Sequence, residues 1–138
     1  MTRSGYNDDI DNIDNWDLIR WRGAVLSATR GNRGQAFLRE LLSALDRLPE
    51  KRLIQNEFES GGEVCALGAV MRERGITSAE NWLFDDGESA AASLNIARAL
   101  ACDVMWVNDE GGWRTETPEM RYERVRKWVA SLIVEPKP

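Results

Sequence analysis

Apolar side chains recur along most of this chain at intervals of three and four residues, the period of one face of an α-helix. The clearest case is segment 35–48, in which the apolar residues form a single stripe and polar residues fill the opposite face. Pro49 is expected to end this helix, because the residue before a proline is pushed out of helical conformation. The stripe consists of Phe37, Leu38, Leu41, Leu42, Leu45 and Leu48.

Capping residues and glycines predict where the other helices begin and end. Asn15 or Asp14 is a suitable N-cap for a first helix, which is expected to end near Arg30 ahead of a break at 31–34. Thr117-Pro118-Glu119 starts the last helix with a capping hydroxyl, a proline and an acid, in the preferred order. The helices expected in between are 50–59, a buried helix from about residue 64 to Gly75, then 88–94 and 96–108, with Asn95 as the N-cap between the last two.

These elements predict an all-α fold, a compact single-domain bundle of about five to seven short-to-medium helices. The bundle spans residues 15–138, and residues 1–14 are expected to form a flexible acidic arm. A strand over 63–71 is the alternative to the buried helix. Gly68 costs that helix stability, and close crossing by another helix is the simplest compensation. Loops are expected at 77–87 and 108–116.

The composition excludes much enzyme chemistry, because the 138 residues include six tryptophans but no histidine. Histidine is the commonest metal ligand and the usual acid or base near neutral pH. Serine and cysteine nucleophiles activated by histidine are therefore absent, as are most zinc sites. We predict no catalytic residue, no cofactor and no metal ligand, and the tryptophans are expected to lie mainly in the core.

The cysteine pattern predicts a reducing compartment, and the absence of long apolar runs predicts an aqueous one. Cys65 and Cys102 stand in apolar surroundings without a CxxC pair, which predicts reduced core thiols. No secretory signal precedes Asp9, and no apolar run approaches the ~20 residues of a membrane span. A cytoplasmic protein without membrane contact is expected.

Charge is distributed unevenly along the chain, whose net charge is −5. Residues 18–54 carry a net charge of +5, whereas residues 55–116 carry −8. The two segments either face each other in the fold or form separate binding faces. The first alternative is slightly favoured.

Trp113 is the tryptophan whose sequence context least resembles a core position. It lies in a polar, glycine-rich loop, between Gly112 and Arg114. Tryptophan and arginine are enriched in binding hot spots. The candidate partner-binding residues are Asp109, Glu110, Trp113 and Arg114. The alternative is that Trp113 folds back onto the last helix.

Two other constellations predict different functions. Arginines interleaved with tryptophans near the first helix are typical of nucleic-acid contacts, although here they are spread around the helix. They are Arg20, Arg22, Arg30 and Arg33. Acidic pairs at Asp85/Asp86 and Asp109/Glu110 would suit a carboxylate- or metal-dependent hydrolase, but they lack the spacing of a calcium loop. Both readings are disfavoured against solvated surface residues.

Most of the chain beyond the acidic arm resembles a group of uncharacterised proteins from tailed bacteriophages and prophages. The segments that carry the resemblance are Trp16-Asp17-Leu18-Ile19-Arg20-Trp21-Arg22-Gly23-Ala24, Arg33-Gly34-Gln35-Ala36-Phe37-Leu38, Gly62-Glu63-Val64-Cys65-Ala66-Leu67-Gly68-Ala69, Asn108-Asp109-Glu110-Gly111, Glu116-Thr117-Pro118-Glu119 and Arg124-Val125-Arg126-Lys127-Trp128-Val129.

This resemblance implies a phage origin and supplies no activity, cofactor or catalytic residue. Small accessory phage proteins often bind a host protein or protein complex, including defence nucleases. The expected function is therefore binding of a host macromolecule, with inhibition of a bacterial defence system in the manner of an anti-CRISPR protein. Nucleic acid is a disfavoured partner, and a homodimer is left open.

Overall fold

A computed structural model describes residues 15–76 and 86–135, with side chains from residue 20 onward. Within these ranges the chain forms six helices and one two-stranded antiparallel sheet, which confirms the all-α class. The predicted arm at 1–14 and most of the predicted 77–87 loop lie outside the described residues. The elements are α1 (Asn15–Arg30), α2 (Asn32–Arg47), β1 (Glu59–Ser60), β2 (Glu63–Val64), α3 (Ala66–Glu73), α4 (Gly87–Leu94), α5 (Arg98–Glu110) and α6 (Pro118–Leu132).

The predicted stripe of α2 is the centre of the core. Leu38, Leu41 and Leu45 are completely buried, and α2 packs against α1, α3 and α6. The helix α5 packs against α1, α3, α4 and α6. Burying a leucine side chain contributes about 1.5–3 kcal/mol, so this one helix face supplies a large part of the driving force for folding. None of the helices in the described ranges is both long enough and apolar enough to cross a lipid bilayer.

The helix predicted over 50–59 is wrong, although Leu53 and Phe58 are buried as its pattern requires. The segment is irregular and leads into the β1–β2 hairpin, in which Glu59 pairs with Val64 and Ser60 with Glu63. Its backbone bonds go to distant partners: Leu53 N–H donates to Pro118 O, and Ile54 N–H donates to Val64 O. These tertiary bonds replace the local bonds of a helix.

Gly68 lies in α3 and is a contact point, as its position in a buried helix predicts, but its neighbour is not a helix. A Cβ added at Gly68 would clash with the carbonyl oxygen of Phe58, in the irregular segment before β1. The close approach expected at Gly68 is therefore present, but the prediction that a helix makes it is wrong. Only glycine permits this approach of the two backbones.

Helix boundaries also differ from the sequence prediction. The buried helix α3 begins at Ala66 rather than near residue 64, because Val64 pairs with Glu59 in the hairpin. The break at 31–34 is reduced to Gly31, and α2 begins at Asn32. Asn95 is the left-handed C-cap of α4, with φ of 55°, rather than the N-cap of α5. That N-cap is Ala97, and α5 continues to Glu110, so the predicted 108–116 loop begins three residues later. The predicted start of α6 is confirmed, because the Thr117 side chain accepts a hydrogen bond from Met120 N–H at 3.1 Å.

Candidate partner-binding surface

Glu116 holds the connection between α5 and α6 from the inside. Its side chain is only 6% exposed, and its two oxygens accept hydrogen bonds from Arg124 Nε at 2.6 Å and Nη2 at 2.9 Å. This fork geometry is the strongest way in which arginine binds a carboxylate. The hydrogen bonds from Arg124 lower the pKa of Glu116 below its ordinary value. Glu116 therefore stays ionised at neutral pH.

Arg124 also ties α6 to the end of α5. Its Nη1 donates to Val107 O at 2.6 Å, and Nη2 lies 3.4 Å from Asn108 O. Carbonyls in the last turn of a helix lack partners within that helix, and a cation there also interacts favourably with the helix dipole. The loop that joins the two helices is thus fixed at both of its ends.

A second arginine extends this arrangement into the irregular segment. Arg121 is 7% exposed and donates through Nη1 to Leu53 O at 2.8 Å and through Nη2 to Gln55 Oε1 at 2.6 Å. Its Nε lies 3.4 Å from Glu116 Oε1. Burial lowers the pKa of Arg121, with Glu116 opposing this effect. One buried carboxylate therefore stands between two guanidinium groups.

Asn108 completes the buried polar network on the α5 side. It is 1% exposed, and its Oδ1 accepts from Ala66 N–H at 3.0 Å. Its Nδ2 donates to Ile54 O at 2.9 Å and to Asp109 Oδ1 at 3.0 Å. Asn108 therefore joins the start of α3 and the irregular segment to α5 through the interior.

Asp109 and Glu110 do not stand in an open loop as the sequence suggests. Both lie in the last turn of α5 and are partly buried. Asp109 Oδ1 also accepts from Asn56 N–H at 3.0 Å, and Asn56 has a positive φ of 69°. Asp109 therefore helps to hold the irregular segment in place through this hydrogen bond.

Trp113 is 84% exposed, so it does not fold back onto the last helix. Its own carbonyl is fixed, because Glu116 N–H donates to Trp113 O at 3.0 Å across a turn. Behind it, a Cβ added at Gly112 would clash with the Glu116 carboxylate, so the backbone packs directly on the buried network. The ring is accessible to solvent while its backbone is held in place.

Two further apolar side chains are exposed on the helices that flank this loop. Trp106 is 37% exposed and sits one turn before Glu110 on α5, while Met120 is 52% exposed and sits one turn before Arg124 on α6. Three of the five exposed large apolar side chains in the described ranges thus fall between residues 106 and 120. We call this the Trp113 surface; it comprises Trp106, Asp109, Glu110, Trp113, Arg114 and Met120.

The expectation that the tryptophans lie mainly in the core does not hold for those described. Trp21 and Trp128 are partly buried, Trp106 and Trp113 are exposed, and none of the four is in the buried core. The core is built mainly from leucine, valine and alanine, and its aromatic residues are Phe37, Phe58 and Tyr122.

The segment that contains the Trp113 surface is acidic in sequence. Residues 103–123 contain six acids and two arginines, and one of those arginines, Arg121, is buried. Glu119 and Glu123 are exposed on α6, and Arg114 is exposed beside Trp113. Glu116, one of the six acids, is bound by Arg124, and the exposed side chains near Trp113 along the chain carry charges of both signs.

The four arginines of the alternative nucleic-acid site lie on α1 and at the start of α2, and all of them are exposed. Arg22 and Arg30 share a face of α1 with Leu26, which is 49% exposed, and Arg20 is exposed on another side of the helix. Arg33 lines an open cleft of about 240 Å³ between the start of α2 and the start of α5. The arginines are thus spread over more than one face, as the sequence predicts.

The acidic pairs and cysteines form no catalytic or metal-binding arrangement in the described residues. Asp86 accepts from Ser89 N–H at 2.8 Å as the N-cap of α4, and Asp85 lies outside the described residues. Cys65 and Cys102 are buried and not in a disulfide, and burial raises the pKa of the Cys102 thiol. No group of three or more potential metal ligands occurs within 15–76 and 86–135.

Sequence reasoning missed the side chains that support the surface. Arg121 and Arg124 stand three residues apart on α6, which places them on one face, but their partners lie as far as 68 positions away along the chain. Met120 and Trp106 gave no signal, because single exposed apolar residues are common.

Comparison with protein families, curated proteins and solved structures finds no match for this chain. The resemblance to phage and prophage proteins therefore stays a prediction.

Proposed function

We propose that this chain is a non-enzymatic domain that binds a macromolecular partner through the Trp113 surface. The observation that supports this most directly is the 84% exposure of Trp113 on a backbone held by Glu116. A large apolar ring with this exposure is uncommon on the surface of a small folded protein, where tryptophan is usually highly buried. Tryptophan dominates many protein interfaces, because one ring buries a large area.

The buried network supports the proposal by fixing the loop before any partner arrives. Ordering a side chain or loop on binding costs free energy, which a preformed loop avoids. Glu116, Arg121 and Arg124 link the loop to α5, α6 and the irregular segment. A network of this extent under a solvent-exposed tryptophan is the arrangement expected of a preformed contact.

Electrostatics favour a basic partner. Residues 55–116, which include Trp113, carry a net charge of −8, and this charge would attract a positively charged protein and repel the phosphates of nucleic acid. Such complementarity raises the association rate and excludes wrong partners more than it raises affinity. We propose that the partner is a host protein or protein complex in the bacterial cytoplasm, and that binding inhibits a defence system.

Affinity capture tests the surface with two matched variants. Trp113→Ala and Leu26→Ala each remove one exposed apolar side chain, on the proposed and on the alternative surface. Purified wild-type and variant chains are incubated with lysate of infected or lysogenic bacteria, and captured proteins are quantified by mass spectrometry. A partner retained by wild type and Leu26→Ala but lost by a folded Trp113→Ala supports the proposal. Equal capture by all three chains removes the Trp113 surface from it.

The inhibitory role is tested in cells that carry an active defence nuclease. Expression of the wild-type chain is expected to raise the plating efficiency of a targeted phage, and Trp113→Ala is expected to abolish that gain. Unchanged plating across a panel of defence systems would contradict the inhibitory role and leave the binding surface to be judged by capture alone.

Nucleic-acid binding is the second candidate, favoured by the exposure of Arg22, Arg30 and Arg33 and by the cleft beside Arg33. A nucleic-acid complex loses affinity linearly with the logarithm of salt concentration. Binding of generic single- and double-stranded nucleic acid, measured by fluorescence anisotropy at rising salt, tests it. A steep salt dependence that Arg30→Gln and Arg33→Gln reduce would support this candidate, and no binding at low salt would remove it.

A further inference from the structure

We infer that segment 53–56 and the loop 111–116, which carries Trp113, open and close together as one cooperative unit. The two are far apart in the sequence, and side chains of Asn108, Asp109, Glu116 and Arg121 join them in the fold. The inference concerns the free chain, so it stands or falls independently of the proposed partner-binding function.

The start of α6 holds one part of segment 53–56. Leu53 N–H donates to Pro118 O at 3.1 Å, and Leu53 O accepts from Arg121 Nη1 at 2.8 Å. Arg121 Nη2 also donates to Gln55 Oε1 at 2.6 Å. A single arginine thus binds a backbone carbonyl and a side chain of the segment, and both bonds depend on where that arginine lies.

The end of α5 holds the rest of the segment. Ile54 O accepts from Asn108 Nδ2 at 2.9 Å, and Asn56 N–H donates to Asp109 Oδ1 at 3.0 Å. Asn56 has a φ of 69°, in the left-handed region that residues with a side chain seldom adopt. Such a conformation persists where the surroundings impose it. Here a side chain at the end of α5 supplies one of the contacts that do so.

The loop depends on the same residues through Glu116. The Glu116 N–H donates to Trp113 O at 3.0 Å, and its carboxylate fills the space that a Cβ at Gly112 would occupy. The carboxylate lies 3.4 Å from Arg121 Nε, and the two side chains are 6% and 8% exposed. The arginine that binds segment 53–56 is therefore the one that faces the carboxylate packed against the loop.

Burial makes these bonds interdependent. A buried ion that loses its partner is strongly destabilised, because its charge is no longer compensated. If the loop moves away with Glu116, Arg121 loses its ion pair and is drawn towards solvent, which breaks its bonds to Leu53 and Gln55. If the segment moves away, buried N–H groups of Arg121 lose their acceptors. Either movement favours the other, which is the property of one cooperative unit.

Hydrogen exchange of single backbone amides, followed by NMR on the full chain, tests the inference from both ends. Glu116→Gln removes the charge at the loop, and exchange of the Leu53 and Asn56 N–H groups is expected to rise at least about tenfold. Gln55→Ala removes an acceptor of Arg121 at an exposed position in the segment. Exchange of the Glu116 N–H is then expected to rise at least about twofold.

Glu40→Gln is the matched control. Glu40 accepts from Arg74 Nε at 2.8 Å and from Nη2 at 2.6 Å, the same fork geometry between α2 and the end of α3. None of the bonds that join the loop to segment 53–56 involves this pair. Glu40→Gln is therefore expected to leave exchange unchanged in segment 53–56 and at the Glu116 N–H.

Two results would overturn the inference. One is a change confined to the part that carries the substitution, so that Glu116→Gln affects only the loop or Gln55→Ala affects only the segment. The other is a similar rise in Glu40→Gln, which would mean that these amides exchange only when the whole molecule unfolds. If Glu116→Gln does not fold, Gln55→Ala with the same control decides the question. Lysate capture tests partner binding separately, so that function stands if the cooperative unit fails.

Discussion

Gly23 and Gly68 are both helical glycines, but their surroundings differ. An added Cβ meets nothing within 4 Å at Gly23, whereas at Gly68 it clashes with the Phe58 carbonyl group. Gly23→Ala should stabilise the fold by up to about 1 kcal/mol, because alanine is the better helix former. Gly68→Ala should destabilise it by about 1–3 kcal/mol or more, because a backbone must move.

Urea unfolding monitored by circular dichroism measures both changes in the free energy of unfolding. Opposite signs are expected for these two substitutions of the same chemical kind. A neutral Gly68→Ala variant would show that α3 does not pack on the backbone of Phe58.

Glu116 is expected to make stability depend on pH. Its pKa is lowered in the folded chain by Arg124 and returns to about its ordinary value, 4.5, on unfolding. The unfolded chain therefore binds the proton more readily, and stability falls as the pH is lowered through and below that value. Above it, the contribution is fully present.

Glu116→Gln isolates this contribution, because glutamine cannot ionise. The variant should be less stable at pH 7 by about 3 kcal/mol, since it leaves Arg121 and Arg124 with an uncompensated charge. The difference from wild type should shrink below about pH 4. Other carboxylates with lowered pKa values, Glu40 and Asp46, are present in both proteins and cancel. Parallel stability profiles from pH 7 to pH 3 would contradict the role of Glu116.

At the scale of elements, the N-cap of α6 is the most direct test of helix-end chemistry. Thr117 accepts from Met120 N–H, and Pro118 occupies the first turn. Thr117→Ala should cost about 1 kcal/mol of stability, and Thr117→Ser should restore most of it, because serine also caps. Thermal unfolding of the three proteins measures this; equal stability of Thr117→Ala and wild type would exclude the cap.

Helices with a long apolar stripe and clear end signals could be predicted from the sequence, and α2 and α6 show why. Their signals are local, within one or two turns. The segment 50–59 could not be predicted, because its N–H groups bond to Pro118 O and Val64 O, which only the folded chain brings near. Asn95 was misassigned because a left-handed C-cap and an N-cap favour the same residue type.

At the scale of the whole molecule, the basic and acidic segments partly pair with each other. Arg47 Nη1 lies 3.2 Å from Glu73 Oε2, and Arg52 Nε lies 2.6 Å from Glu63 Oε1. Exposed pairs of this kind contribute little stability. Arg22 and Arg30 on α1, and Glu119 and Glu123 on α6, are exposed.

The site could be predicted only at its exposed end. Trp113 and Arg114 stand out because a tryptophan in a polar, glycine-rich loop has no helical stripe to join. Their support could not be read from the sequence, since Asn108 reaches Ala66 and Ile54 across 42 and 54 positions. Sequence reasoning locates the exposed side chain, and the structure shows what holds its backbone in place.

The most direct test is the affinity of Trp113→Ala for the purified partner, measured by isothermal titration calorimetry beside wild type and Leu26→Ala. The account predicts a loss of at least about 1–2 kcal/mol, roughly a five- to thirtyfold weaker Kd, for Trp113→Ala and little change for Leu26→Ala. Circular dichroism and thermal unfolding confirm that the variants are folded. An unchanged Kd in a folded Trp113→Ala protein would contradict the central claim.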